Sequence, residues 1–266
     1  MMKQQNKNTA SYAFEEFPEH INLWTLIPGG SGKGVVMLRK IVDSVHAGTC
    51  RQSQHKLPSF LIIGENGSGR NMVARALANS LAMQDIRVCP VKYLDNGINS
   101  GQFFFDSSPN TAHIITDLQE DKRCECTLWR YLTEGKSEYF NIMDMTMSNV
   151  VYCNGLIILT SVSMPVYTLA KAVTFMIHLE VYTAEQIKCI LHQYLHFMGI
   201  AYEGEAVLDE LVQISPVNIH QSLDLLKVAV NIMRADLKDC LTAEAARRTK
   251  RLMGHPVSRS GQNKTF

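Results

Sequence analysis

Four apolar runs stand out along the first two-thirds of the chain: Phe60–Ile63, Ala112–Thr116, Leu156–Leu159 and Ile177–Val181. Each is short and bounded by polar residues or turn formers, the pattern of a strand buried on both faces. The second run ends on Asp117, and the third ends on the hydroxyls of Thr160 and Ser161. A weaker strand pattern covers Arg87–Val91, and a strand pair brackets Asn141 to Val151. Helical spacing lies between the runs: Val35 to Ala47, then Met72, Val73, Ala76, Leu77 and Leu81, then about Cys124 to Leu132, closed by Glu134-Gly135-Lys136. The stretch Asp95 to Asn110 is rich in Asn, Gly and Ser, and its Phe103-Phe104-Phe105 run reads as core or interface.

From Thr183 the period becomes helical throughout. Thr183 caps a helix to His196, stopped at Gly199. A second helix runs from Glu205 to Ile214 and ends at Ser215-Pro216, a third from Ile219 to Arg234, and Thr242 caps a fourth to Leu252. The prediction is an α/β part over residues 17–182, with a parallel sheet flanked by helices, and a small helical domain over 183–253. A flexible polar lead-in (1–16) precedes them and a polar tail (254–266) follows.

Between the first run and its helix stands Gly64-Glu65-Asn66-Gly67-Ser68-Gly69-Arg70-Asn71. Strand, glycine loop, helix, with G-x-x-x-x-G spacing, is the setting of a phosphate-binding P-loop. Glycines let the backbone N–H groups converge, and the helix N-terminus adds partial positive charge. These eight residues are the candidate nucleotide site. A turn that merely joins a strand to a helix accounts less well for three glycines at this spacing. The pattern asks for Lys then Ser/Thr, and the chain has Arg70 then Asn71. Arg70 keeps the charge as a rigid planar fork. Asn71 replaces the hydroxyl that normally ligates Mg²⁺ with an amide oxygen. A second glycine cluster, Ile27 to Gly34, lacks the first Gly and the final Ser/Thr and reads as a turn before a helix.

With 46% hydrophobic and 19% charged residues, the chain of 266 residues is globular. A net charge of +1 gives no general attraction to nucleic acid. No apolar run reaches membrane-spanning length and Met1–Asn8 is no signal peptide, so a cytoplasmic protein with no membrane partner is expected. The seven cysteines are scattered and read as reduced, buried thiols. His192 and His196 have metal-compatible spacing, yet a helix surface is the simpler account. Met143, Met145 and Met147 alternate as on one strand face. Arg247, Arg248, Lys250 and Arg251 read as a solvated helix end complementing the helix dipole.

Strands alternating with helices, a P-loop after the first long strand and a helical domain behind them resemble an AAA+ module. Within that superfamily the chain resembles the RuvB family of Holliday-junction branch-migration motors. The resemblance is carried by Leu57-Pro58-Ser59-Phe60-Leu61-Ile62-Ile63-Gly64, by Leu179-Glu180-Val181-Tyr182-Thr183-Ala184-Glu185-Gln186-Ile187, by Met198-Gly199-Ile200 and by Ser215-Pro216 with the helix after it. It implies that residues 183–253 form a helical lid and that the P-loop holds ATP or ADP. It also implies Asp117 as the Walker B aspartate, a metal site, if Mg²⁺ is held at all, at Asn71 and Asp117, and a polar sensor at Thr160 or Ser161. Asp117 and Thr160 are thus the candidate catalytic residues.

The departures are informative. Leu118 replaces the water-activating Glu of that family, with Glu120 and Asp121 poorly placed beyond it. Ala170 and Ala172 stand where its finger arginines align, and Val217-Asn218 where its lid arginine does. A finger alone is worth roughly 10³–10⁵ in rate. Their joint loss implies a degenerate module, with Mg²⁺ weak or absent, acting as a regulatory or scaffold subunit. Its expected partner is a protein: an active AAA+ subunit or a second copy. Two other readings stand beside it: a divergent but active ATPase that remodels DNA or protein, and a DNA-associated adaptor that binds no nucleotide. The resembling motors continue into a winged-helix domain, whereas residues 253–266 alone follow the last helix here, so DNA binding by that route is not expected. A role in recombination or repair is implied by the resemblance alone.

Overall fold

The structure, a computed structural model, describes residues 21–26, 32–48, 57–94, 97–140, 148–212 and 219–253. The chain divides into two compact units, Pro18–Glu180 and a second that holds Val181–Phe266.

The first unit runs α1 (Lys33–His46), β1 (Phe60–Ile63), α2 (Arg70–Ser80), β2 (Asp85–Pro90), α3 (Gly97–Phe104), β3 (Thr111–Thr116), α4 (Glu125–Glu134), β4 (Lys136–Phe140), β5 (Ser148–Tyr152), β6 (Leu156–Ser161), α5 (Tyr167–Ala172) and β7 (Phe175–His178). Five strands form one parallel sheet in the order β2-β3-β6-β1-β7. Every residue of β1, β3 and β6 is buried, which is why these strands read as continuous apolar runs. Edge strand β2 is half-exposed along its length, hence its faint signal. The strands β4 and β5 pair antiparallel as a separate ribbon. Because β1 lies between β6 and β7, the chain departs from it to one side and returns on the other. The carboxyl end of β1 is therefore a switch point, where open α/β sheets bind ligands.

The second glycine cluster leads into a helix, as expected of a turn before one. Helix α1 begins at Lys33, and Gly34 is buried inside its first turn. A Cβ on Gly34 would strike the carbonyl of His178, so the glycine lets α1 lie against β7. Residues 27–31 lie outside the described residues, as do Met143, Met145, Met147, Ser215-Pro216 and Val217-Asn218.

The second unit holds α6 (Ala184–Phe197), β8 (Ala201–Tyr202), α7 (Glu205–Val212), α8 (Ile219–Ala235), β9 (Cys240–Leu241) and α9 (Ala243–Leu252). Thr183 forms a full capping box: its Oγ1 accepts from the Gln186 N–H at 3.3 Å and its own N–H donates to Gln186 Oε1 at 2.9 Å. Such a cap stabilises a helix by about 1 kcal/mol. Thr242 caps α9 through the Ala245 N–H, and Gly199 takes the left-handed conformation that stops α6. Ile187, Leu191, Leu195, Val207, Leu211, Leu226 and Val230 form the interior.

Two expectations need correction. The basic cluster on α9 is a solvated end only in part: Arg247, Arg248 and Arg251 are exposed, but Lys250 is buried and donates to Glu210 at 2.5 Å, Arg247 donates to the same carboxylate at 3.0 Å, and Arg248 pairs with Asp236 at 2.6 Å. The described cysteines are free, but Cys126 and Cys189 are exposed. His192 shares a 2.5 Å hydrogen bond with Tyr202, and no group of three metal-ligating side chains occurs among the described residues. No described helix is long and apolar enough to cross a membrane.

Candidate functional site

The loop that leaves β1 is tied down at once: the Gly64 N–H donates to the Ser161 carbonyl at 3.2 Å, joining it to the end of β6. Gly67 and Gly69 adopt φ of 86° and 77°, a left-handed region that side chains resist. The turn is closed by the Ser68 N–H on the Glu65 carbonyl at 3.1 Å, with the Glu65 side chain in solvent. Gly64 permits a close approach, because a Cβ there would meet Ser68 Oγ. Ser68 lies inside the loop at 1% exposure, and its Oγ has no hydrogen-bond partner. Helix α2 then starts at Arg70 with no side chain capping it. Its first N–H groups therefore remain open to an anion.

Arg70 does not reach out of this loop. Its guanidinium folds back, and Nη1 donates to the Gly64 carbonyl. Nη2 lies 3.5 Å from Asn66 Oδ1 and 3.6 Å from Asp117 Oδ1. The residue is 8% exposed, and Nε has no acceptor. Burial lowers its pKa below the ordinary arginine value, and the Asp117 carboxylate opposes that shift.

Asp117 ends β3 in a left-handed conformation, φ 60° and ψ 46°, which Asp tolerates better than most residues. That bend decides the fate of the next side chain. Leu118 points into the interior at 1% exposure, among Leu128, Tyr131, Leu132 and Leu159. The position expected to carry a water-activating carboxylate thus faces the core. Glu120 is exposed, and Asp121 is committed to the backbone N–H and guanidinium of Arg123, which hold its carboxyl below the usual range.

Thr160 is fully buried and donates to Asn71 Oδ1 at 2.9 Å, so the end of β6 reads the first turn of α2. Ser161 donates instead to Gln119 Oε1, which also accepts from the Val162 N–H. Gln119 links the ends of β3 and β6, a role for which the sequence carries no signal beyond an amide two residues past Asp117. The loop, Arg70, Asn71, Asp117 and Thr160 therefore converge. Of the two residues expected to hold Mg²⁺, Asn71 accepts from Thr160 through its amide oxygen, and one carboxylate oxygen of Asp117 faces the Arg70 guanidinium. On α5, Ala170 and Ala172 flank Lys171, whose Nζ lies 4.4 Å from the centroid of the Tyr167 ring.

No protein-family model matches the chain, and no curated protein matches it in sequence. Solved structures do. A proline-to-glycine variant of Thermotoga maritima RuvB superimposes with a TM-score of 0.71 at 14% identity, over 87% of this chain and 72% of that one. The Thermotoga maritima RuvB Holliday junction branch migration motor gives 0.66 at 14% identity, over 87% and 71%. Aeropyrum pernix ORC1 in complex with DNA gives 0.58 at 13% identity, over 87% and 69%. At such identities the likeness establishes the fold. It is the AAA+ P-loop fold, with a parallel α/β core close to that of RuvB.

Proposed function

Given an AAA+ P-loop fold, we propose that the chain is a pseudo-ATPase. It binds ATP or ADP through the phosphates and turns it over poorly or not at all. The observation that carries this reading is the opposite fate of two adjacent parts: the backbone cradle of residues 64–71 is intact, while Leu118 is turned into the core. A cradle without a water-activating carboxylate binds and does not hydrolyse. The test is binding of a fluorescent ATP analogue alongside phosphate release. Expected are saturable binding, weakened about tenfold or more in Arg70→Ala by loss of a charged donor, and no release above background. Phosphate release that disappears in Asp117→Ala would instead establish an active, divergent ATPase.

The module then acts through protein contacts, as a regulatory or scaffold subunit in the cytoplasm. Its setting is DNA recombination or repair, by analogy with the branch-migration motor and the DNA-bound ORC1. Met164, Val166 and Tyr167, at 53%, 44% and 70% exposure, follow β6 as an apolar surface that suits a protein neighbour. Sedimentation velocity should find the chain associated with itself or with an active AAA+ subunit, and Tyr167→Asp should disperse that species. A wild-type monomer that sediments alone in the presence of such a subunit removes the scaffold role.

A further inference from the structure

We propose that this P-loop takes the di- or triphosphate of a nucleotide without a divalent cation, the Arg70 guanidinium standing in the cation's place. The inference rests on the nucleotide-binding reading above and specifies the ligand form that the site accepts.

A P-loop that uses Mg²⁺ needs a free hydroxyl or carboxylate oxygen to hold the metal beside the phosphates. Here the amide oxygen is taken by a hydroxyl and the carboxylate faces a fixed positive charge. Asp117 Oδ1 faces Arg70 Nη2 at 3.6 Å, and Asn71 Oδ1 accepts the Thr160 hydroxyl at 2.9 Å. Arg70 itself bridges the start of the loop, through the Gly64 carbonyl, to the end of β3. It thus neutralises the one carboxylate that would repel a phosphate at this spot, as a metal ion would.

The remaining polar atoms point to an anion. Arg70 Nε and Ser68 Oγ are both buried without a partner, in residues at 8% and 1% exposure. Buried donors without acceptors are unfavourable and uncommon. A phosphate oxygen in the loop would accept from both, together with the open N–H groups of α2. Asn71, with its oxygen on Thr160, has its amide N–H groups left to offer. The set is therefore rich in donors, and its one carboxylate faces the Arg70 guanidinium.

The test is calorimetric titration of ADP into the full chain, once with excess EDTA and once with excess Mg²⁺. Expected is an affinity in EDTA equal to or tighter than that in Mg²⁺. Arg70→Ala should weaken both titrations about tenfold or more, the loss of charge-assisted bonds to phosphate. Arg70→Lys guards against a misfolded alanine variant, with circular dichroism confirming the fold. A single ammonium lacks the planar fork that spans Gly64 and Asp117. This variant should therefore release the carboxylate and make binding Mg²⁺-stimulated. ADP bound in Mg²⁺ and lost in EDTA would overturn the cation-free site and leave the nucleotide-binding reading standing. Binding in neither buffer would overturn both. Binding that is indifferent to Arg70 in both buffers would place the nucleotide elsewhere and also overturn the proposal.

Discussion

Replacing Leu118 with glutamate is expected to destabilise the α/β unit severely and to restore no hydrolysis. The substitution puts back the residue type that active relatives of this fold would carry, so intuition runs the other way. The side chain, however, is 1% exposed and packed among Leu128, Tyr131, Leu132 and Leu159. A carboxylate there would sit in a largely apolar cluster, and burial would force it toward the neutral acid. Placing an uncompensated charge or acid in a core costs about 3–5 kcal/mol. That is a large share of the roughly 5–15 kcal/mol that holds a domain together.

At about 2–4 °C per kcal/mol for a chain of this size, the melting temperature should fall by about 10 °C. Leu118→Met preserves volume and polarity and should stay within about 1.5 kcal/mol of wild type. Thermal melts followed by circular dichroism decide the matter, with phosphate release measured on both variants. A glutamate variant that melts with wild type and releases phosphate would mean that position 118 faces the nucleotide, and the pseudo-ATPase reading would fall.

The reason Leu118 could not be placed from sequence is local. Asp117 sits in the left-handed region, so the side chain after it leaves the strand alternation that would otherwise predict its direction. The P-loop itself was legible because glycine spacing, a buried strand and a helix agree with one another. The retraction of Arg70 was not, since it depends on Asp117 far along the chain. The same holds for α9: nothing local to Arg247 or Lys250 announces Glu210, some forty positions earlier.

Among the elements, β1, β3 and β6 were readable because burial on both faces leaves an unbroken apolar run. Helix α3 was not, because Gly97, Asn99, Ser100 and Gly101 are poor helix formers. Tertiary packing overrides that preference: Phe104 at its end is fully buried, with its ring centroid 4.0 Å from that of Tyr131. Helix α5 buries Leu169 alone, too little to set a period. The β8–β9 pair joins two residues on each side, below any pattern length.

Acid should destabilise the α/β unit well before its carboxylates titrate, and His113 should be the cause. This side chain on β3 is fully buried between the rings of Phe103 and Phe104, with Nε2 and Ser107 Oγ sharing a 2.9 Å hydrogen bond and Nδ1 without a partner. Burial pushes its pKa from 6.5 down to about 4, Arg87 adding to the shift and Asp85 opposing it. The unfolded chain therefore binds a proton that the folded chain refuses between those two values. Stability is complete above pH 6.5, falls as pH drops through that window, and levels off below about 4. The integrated loss is about 3 kcal/mol, at roughly 1.4 kcal/mol per pH unit. Urea unfolding across the window should show it in wild type, and His113→Leu should remove it. The leucine variant forfeits the Ser107 hydrogen bond, about 1 kcal/mol and independent of pH, while Ser107 Oγ still accepts from the Gly155 N–H at 3.1 Å. The difference between the two pH profiles thus isolates the imidazole from every carboxylate that titrates nearby. Parallel profiles would show that His113 is protonated as readily in the folded chain as in the unfolded one, and that its burial carries no electrostatic cost.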